Sequence, residues 1–169
     1  MSKSILFNFE VDKSNQQIHV TRSFHAPVDL VWSAWTKAEI LDRWWAPKPW
    51  VAKTKYMDFK EGGHWLYAMI SPENEKNWSR VDYLSIEHQK SFSAFDGFCD
   101  SEGKINTTLP RNKWENNFEQ FGEQTLVNIR LTFDSLEDLE KIVEMGFKEG
   151  FTAGLKNLDQ YIASQISLD

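Results

Sequence analysis

Aromatic side chains recur along this chain at spacings that suit the wall of a cavity for a small molecule. Trp65, Tyr67 and Met69 fall at every second position, which places them on one face of a strand. Trp and Tyr each join a large apolar body to one polar group, and pockets for small ligands are lined mostly by apolar and aromatic side chains. The candidate ligand-binding residues are Trp44, Trp45, Trp50, Trp65, Tyr67, Met69, Asp82, Trp114, Phe118, Phe147, Gly150 and Phe151.

The same residues have a simpler interpretation, because aromatic side chains also dominate ordinary protein cores. For any single member of the set, we favour packing between a sheet and a helix. For the set as a whole, we favour a cavity, because the glycine pattern described next points the same way.

Three glycines near the C-terminus recur at every fourth position of a segment that otherwise predicts one long helix. Gly146, Gly150 and Gly154 would share one stripe of that helix, although each costs about 1 kcal/mol relative to Ala in a helix interior. Either another surface approaches this stripe closely, or a space is kept open beside it. Phe147 and Phe151 form an adjacent apolar stripe, which would suit one wall of an internal cavity.

Asp82 is the candidate for acid–base chemistry or for anchoring a polar group of a ligand. An inward carboxylate near the Trp residues would have the perturbed pKa that is typical of functional sites. A register slip of one residue turns a side chain to the opposite face of a sheet, so the simpler interpretation of Asp82 is a solvated charge. His64, Arg80 and Asn116 are further polar candidates, and the alternation predicts that His64 lies opposite Trp65.

Several other chemistries have no support in the sequence. The four His residues show no paired spacing such as H-E-x-x-H, and Cys99 is the only cysteine. The chain contains no G-x-S-x-G nucleophile elbow and no Gly-rich phosphate-binding loop. We therefore expect no metal and no cofactor, and the catalytic residues of any reaction stay unassigned.

Length and charge narrow the class of protein. A chain of 169 residues suits a single domain with a sizeable core, which we predict at about residues 17–165. The net charge of −6 argues against non-specific binding to nucleic acid or to an anionic membrane. The sequence has no apolar run long enough for a membrane span and no signal-peptide core near its start, so we predict a cytoplasmic location.

The elements that must position these residues follow an α+β pattern. Strands are predicted at residues 5–11 and 17–24, followed by two short helices at 27–35 and 36–45, the second starting at a capping box from Thr36 to Glu39. Only strands are predicted for residues 51–133, and one helix of about 30 residues is predicted from 135 to 164. Hairpin connections imply an antiparallel sheet, and the long helix must cover one of its faces.

Five segments together resemble a known superfamily. They are Arg22-Ser-Phe-His-Ala-Pro-Val-Asp-Leu-Val-Trp32, Ala34-Trp-Thr36, Leu41-Asp-Arg-Trp-Trp-Ala-Pro47, Glu61-Gly-Gly-His-Trp65 and the stretch from Met145 to Tyr161. In this order they resemble the helix-grip (START-like) superfamily, and within it the single-domain bacterial relatives of the C-terminal domain of the activator of heat-shock-protein-90 ATPase. The resemblance implies a curved antiparallel sheet of about six to seven strands, two short helices after the first strand, and one long C-terminal helix packed across the concave face.

The sequence leaves three functions open. The leading hypothesis is the binding of a small hydrophobic or aromatic molecule in a cavity between the sheet and the C-terminal helix. The alternative is an enzyme, such as a hydrolase, cyclase or isomerase, that acts on a hydrophobic substrate in that cavity. The third, implied by the resemblance alone, is a chaperone-associated interaction module, although the chain has no room for the N-terminal domain with which eukaryotic activators engage the chaperone. Both a monomer and a homodimer fit the sequence.

Overall fold

The computed structural model describes residues 5–166, which form eight strands and four helices. The chain begins with strands β1 (Phe7–Asp12) and β2 (Gln17–Phe24), followed by helices α1 (Val28–Thr36) and α2 (Ala38–Trp44). Six strands come next: β3 (Val51–Met57), β4 (His64–Ile70), β5 (Lys76–Glu87), β6 (Ser91–Cys99), β7 (Lys113–Phe121) and β8 (Gln124–Thr132). Helices α3 (Leu136–Glu144) and α4 (Phe147–Ile166) complete the described residues.

All eight strands belong to one antiparallel sheet in the order β1-β2-β8-β7-β6-β5-β4-β3. The predicted α+β class is confirmed, but the expected count of six to seven strands is too low. The two short helices follow the second strand, as the strand pattern predicts, and not the first, as the resemblance implies, because β1 folds back on β2 as a hairpin and extends the same sheet. No helix within residues 5–166 combines the length and apolar character needed to cross a membrane.

The predicted helix starts are confirmed in one case and wrong in another. Ser135 caps α3, because its hydroxyl accepts a hydrogen bond from the backbone N–H of Asp138 at 3.1 Å. The capping box predicted at Thr36 does not form. The Thr36 hydroxyl instead donates to the carbonyl oxygen of Trp32 at 2.9 Å within α1, and Lys37 precedes the first residue of α2.

The prediction of one long C-terminal helix is also wrong, because the helix is interrupted at Gly146. Gly146 has a φ of +88°, a left-handed conformation that ends α3 and that side chains other than glycine rarely adopt. Its backbone N–H donates to the carbonyl oxygen of Val143 at 3.1 Å, which closes the turn. Helix α4, with 20 residues, therefore begins anew at Phe147.

The second half of α4 packs tightly against α2 and the segment that follows it. A Cβ atom on Gly154 would lie only 3.3 Å from the carbonyl oxygens of both Trp44 and Trp45. The side chain of Asn157 donates to the carbonyl oxygen of Ala46 at 2.9 Å. These contacts fix the distance between α4 and the end of α2.

A largely buried ion pair ties the same half of α4 to β2. Nη2 of Arg22 donates to Oδ2 of Asp159, and the Arg22 side chain is only 6% exposed. Nη1 of Arg22 donates to the carbonyl oxygen of Ser23 at 2.7 Å, and the guanidinium lies 4.8 Å from the centre of the Phe24 ring. The charged group is therefore well supplied with partners, as a buried charge requires.

The outer face of the sheet, opposite the helices, is partly covered by the long β6–β7 connection at residues 100–112. Nη1 of Arg80 donates to the carbonyl oxygen of Gly103 at 2.6 Å. A Cβ atom on Gly103 would lie 3.8 Å from Leu66, which is buried although it faces away from the helices. The sheet consequently has two differently covered faces, and only the inner one is covered by helices.

Candidate ligand-binding cleft

A cleft of about 250 Å³ opens between the first turns of α4 and the inner face of β4–β7. For scale, an apolar cavity of about 150 Å³ holds a benzene molecule. The cleft is lined by Trp45, Pro47, Tyr67, Met69, Asn77, Ser79, Asp96, Phe98, Trp114, Phe147, Gly150 and Phe151.

Two smaller cavities adjoin the cleft. An inner cavity of about 40 Å³ lies deeper between the sheet and α1 and α2, and a side pocket of about 90 Å³ lies towards α3. Tyr67 and Asp96 line all three spaces, while Trp45 and Trp114 line both the cleft and the inner cavity. These four side chains therefore form the junction between the open and enclosed parts of the site.

The alternation of β4 builds one wall of the site. Trp65 and Tyr67 stack with ring centroids 4.0 Å apart. Nε1 of Trp45 donates to the Tyr67 hydroxyl at 2.9 Å, and Nε1 of Trp65 donates to the Thr54 hydroxyl at 2.9 Å. Burial raises the pKa of Tyr67 to about 12. The hydroxyl therefore stays neutral at physiological pH.

The first turns of α4 build the facing wall. Phe147 and Phe151 are one turn apart and stack with centroids separated by 5.3 Å, and each ring also lies within 6 Å of Trp114. Gly150 lies between them and has no side chain to fill the space. A Cβ atom there would meet only Pro47, at 3.8 Å, which is an ordinary contact distance. The missing side chain leaves the cleft open at this point.

The three glycines of the predicted stripe therefore have three different roles. Gly146 ends a helix, Gly150 leaves space beside a helix, and Gly154 permits close contact between α4 and the end of α2. Both alternatives offered by the sequence, close approach and open space, occur on the same helix one turn apart.

Asp96 is the one charged side chain among the residues that line the three spaces. Its Oδ1 accepts a hydrogen bond from the backbone N–H of Asn112 at 2.9 Å, and its Oδ2 accepts one from Nε1 of Trp114 at 2.7 Å. Burial raises the pKa of the Asp96 carboxyl, and the hydrogen bonds from Trp114 and Asn112 offset this effect only in part.

The inner cavity contains polar atoms without partners. Oδ1 of Asn116 and Nε1 of Trp35 are buried and have no hydrogen-bond partner, although their residues line this cavity. Oδ1 of Asn112, which lines the side pocket, is in the same situation. Unpaired buried polar groups cost free energy, so these positions favour a water molecule or a polar ligand group.

The comparisons with known proteins identify the family. A family model described as Activator of Hsp90 ATPase homolog 1-like protein matches residues 25–163. The chain belongs to this family. The resemblance inferred from the five sequence segments is thereby confirmed. No curated protein matches the chain significantly in sequence.

Solved structures similar to this chain share its fold along nearly the whole length. Protein Ms6760 from Mycobacterium smegmatis is 26% identical with a TM-score of 0.86, and the match covers 94% of this chain and 97% of that one. A protein from Arthrobacter aurescens is 27% identical with a TM-score of 0.88, covering 93% and 91%. The AHSA1 protein from Silicibacter pomeroyi, 16% identical with a TM-score of 0.70 over 88% and 99%, resembles it in fold alone.

Most of the predicted site residues come together in the structure. The predicted residues that line the cleft or the inner cavity are Trp45, Trp65, Tyr67, Met69, Trp114, Phe147, Gly150 and Phe151. Trp44 lies instead in the core, where its Nε1 donates to the carbonyl oxygen of Ala34 at 2.9 Å. Phe118 is also buried, 5.1 Å from Trp32, and Trp50 is half-buried in the turn before β3.

Asp82 lies on the outer face, away from the cleft. Nε of Arg80 and Nη2 of Arg111 form ion pairs with its carboxylate at 3.0 and 2.6 Å. Burial alone would raise the pKa of Asp82, but the hydrogen bonds and charges of Arg111 and Arg80 outweigh it and lower the pKa. His64, paired with Asp82 in the sheet register, lies on the same outer face, as predicted.

Asp96 was not selected from the sequence, although a signal for it exists. In β6, Phe92, Ala94 and Phe98 alternate on the inner face, and Asp96 falls on that same face. A lone charge within an apolar alternation is the pattern that marks a buried functional carboxylate. Among residues 5–166, no group of three His, Cys, Asp or Glu residues is arranged to hold a metal ion.

Proposed function

We propose that this protein binds a small hydrophobic or aromatic molecule in the cleft between the sheet and the first turns of α4. The observation that carries the proposal is the lining of the cleft, in which Trp45 after α2 and aromatic side chains from β4, β6, β7 and α4 surround a space of about 250 Å³. Binding pockets typically combine such an apolar wall with a few polar groups that orient the ligand. Here Tyr67, Asp96 and Ser79 supply those groups.

The size of the space sets the expected affinity. A ligand of about ten non-hydrogen atoms that gains about 0.5 kcal/mol per atom would bind with about −5 kcal/mol, a dissociation constant near 0.2 mM. A natural ligand that fills both the cleft and the inner cavity would bind more tightly. Screening should therefore begin at high micromolar concentrations of each compound.

The second candidate function is an enzyme acting on a substrate in the same cleft. The observation that favours it is Asp96, whose raised pKa suits a general acid or base and which lines the same three spaces as Tyr67. An enzyme would convert a compound that binds, so mass spectrometry of each bound compound after prolonged incubation separates the two functions. Unchanged compounds throughout would leave binding as the function.

A chaperone-interaction module receives less support. Such a module would present one exposed apolar patch. Phe7 and Val11 are exposed on edge strand β1, whereas Val51 and Tyr56 are exposed on edge strand β3 at the other side of the sheet. These exposed side chains do not form one surface.

Native mass spectrometry of the purified protein, compared with its denatured mass, tests the proposal without a choice of ligand. A mass excess that disappears on denaturation would reveal a retained small molecule. Tryptophan fluorescence should then follow titration with a panel of apolar compounds, in the wild type, in Gly150→Leu and in Lys156→Leu.

The two variants place the same side chain on different sides of α4. Leu at position 150 would enter the cleft beside Pro47, whereas Lys156 is exposed. We expect saturable binding to the wild type and to Lys156→Leu, and its loss in Gly150→Leu. Binding that is unaffected by Gly150→Leu would place the ligand elsewhere and overturn the proposal.

A further inference from the structure

We propose that the ligand of the cleft carries a protonated amine, and that Asp96 and the surrounding aromatic rings bind this ammonium group. This inference rests on the proposed function and specifies its ligand class, an apolar or aromatic body with one cationic nitrogen. It follows from the charge of Asp96, the hydrogen-bonding balance of the lining and the arrangement of the rings.

The carboxylate of Asp96 has spare capacity and no ion-pair partner within residues 5–166. Its oxygens accept hydrogen bonds from Nε1 of Trp114 and from the backbone and side chain of Asn112, whereas a carboxylate offers about four acceptor positions. The charge of Arg111 lowers the pKa of Asp96 slightly, but its N–H groups donate elsewhere: Nε to the backbone carbonyl of Asp96, and Nη2 to Asp82. A half-buried carboxylate without a direct ion-pair partner is suited to a cationic ligand.

The hydrogen-bonding balance of the lining favours a ligand rich in donors. Asn112 and Asn116 line spaces that Asp96 also lines, and each has a buried Oδ1 acceptor without a partner. Nε1 of Trp35 is the one buried donor without a partner in the described lining of these spaces. An ammonium group offers three N–H donors and no acceptor, whereas a hydroxyl offers one donor and a carboxylate offers none.

Aromatic rings line the same cleft as Asp96. Trp114 lies 6.0 Å from Trp45 and 5.9 Å from Phe147, measured between ring centroids, and Phe151 lies within 6.1 Å of both Trp residues. The faces of such rings attract cations, most strongly where water is excluded. The net charge of −6 adds a favourable long-range field for a cationic ligand.

Three probes with the same phenylethyl body test this inference. They are 2-phenylethylamine, which is cationic, 2-phenylethanol, which is neutral, and 3-phenylpropanoate, which is anionic. Isothermal titration calorimetry at fixed ionic strength should give the amine at least about tenfold tighter binding than the alcohol, and the anion the weakest binding of the three.

Variants locate the source of the preference. Asp96→Asn should abolish the preference for the amine over the alcohol. Asp82→Asn is the matched control, because it removes the same charge from the outer face of the sheet. It should leave the order of the three affinities intact.

A pH profile of the wild type provides a test that needs no variant. Binding of the amine should weaken as the pH falls through the raised pKa of Asp96, whereas binding of the alcohol should not. Tyr67 and Tyr83 also line the site, but burial raises their pKa values, so both stay neutral in this range. Arg111 stays charged throughout, which leaves Asp96 as the group that titrates.

The outcomes distinguish the two proposals. Equal binding of the amine and the alcohol to the wild type, or a tenfold preference that survives in Asp96→Asn, would overturn the inference and leave the proposed function standing. Failure of all three probes to bind at millimolar concentration would count against both. An amine preference that is lost in Asp96→Asn and retained in Asp82→Asn supports both.

Discussion

The two halves of helix α4 meet the rest of the molecule in opposite ways. Its first turns stand away from the sheet at Gly150, where a cleft remains, whereas one turn later Gly154 brings the helix against the backbone of Trp44 and Trp45. Asp159 then anchors the second half to β2. The second half of α4 is fixed against the core by these contacts. Because the helix is held there, its first turns can leave a space open beside the sheet.

The largest effect is expected from breaking the anchor of the closed half. Asp159→Ala leaves the buried guanidinium of Arg22 without its carboxylate, and we expect a loss of about 3 kcal/mol in the free energy of unfolding. Urea unfolding followed by circular dichroism measures this loss.

Gln160→Ala is the neighbouring control, since Gln160 makes one exposed contact, with Lys48. It should change the free energy of unfolding by less than about 0.5 kcal/mol. Similar values for the two variants would mean that the second half of α4 is not held by the ion pair.

The next largest effect compares the same substitution at the two glycines. Gly154→Leu forces a side chain against two carbonyl oxygens and should cost about 1–3 kcal/mol. Gly150→Leu gains helix propensity and enters open space, so its free energy of unfolding should stay within about 1 kcal/mol of the wild type. Thermal unfolding of both variants makes the comparison, and equal destabilisation would contradict the contrast between the two halves of α4.

A smaller effect is expected in the pH dependence of stability, which should differ between Asp82 on the outer face of the sheet and Asp96 on the inner face. The pKa of Asp82 is lowered from its ordinary 3.8, so its stabilising contribution is present above that value and is lost as the pH falls through the folded-state pKa. The pKa of Asp96 is raised, so the folded state binds the proton more tightly and stability falls as the pH rises through the raised pKa.

Urea unfolding between pH 3 and pH 7 measures the free energy of unfolding at each pH. The contribution of Asp82 to this free energy should rise with pH, whereas the contribution of Asp96 should fall. The destabilising effect of Asp82→Asn should decrease as the pH falls below 3.8, the ordinary pKa of Asp. The free energy of unfolding of Asp96→Asn should increase relative to that of the wild type as the pH rises. Parallel pH profiles for the two variants would contradict the assignment of the carboxylates to opposite environments.

Much of the fold could be predicted from the sequence, because alternation and helical spacing are local signals. The inward set Trp65, Tyr67 and Met69 follows directly from alternation in β4. The break at Gly146 was not predicted, since a glycine inside an apolar helical pattern is compatible with both a continuous helix and a left-handed turn.

The candidate site was harder to predict, because neighbouring residues of the same type have different environments. Trp44 is sealed in the core while Trp45 lines the cleft, and nothing in their side-chain chemistry separates them. The choice between Asp82 and Asp96 depended on strand register. Only the pairing of β5 with β6 shows that the first carboxylate faces the arginines and the second faces the rings.

The indole N–H signals of the protein, observed by two-dimensional ¹H–¹⁵N NMR during titration with 2-phenylethylamine, test the central claim most directly. Trp45 and Trp114 line the cleft, whereas Trp78 lies on the outer face beneath Lys55. We predict saturable shifts of the Trp45 and Trp114 signals with a single dissociation constant, while the Trp78 signal stays fixed. Shifts confined to Trp78, or no saturable shift at Trp45 and Trp114, would contradict the claim that this cleft is a ligand-binding site.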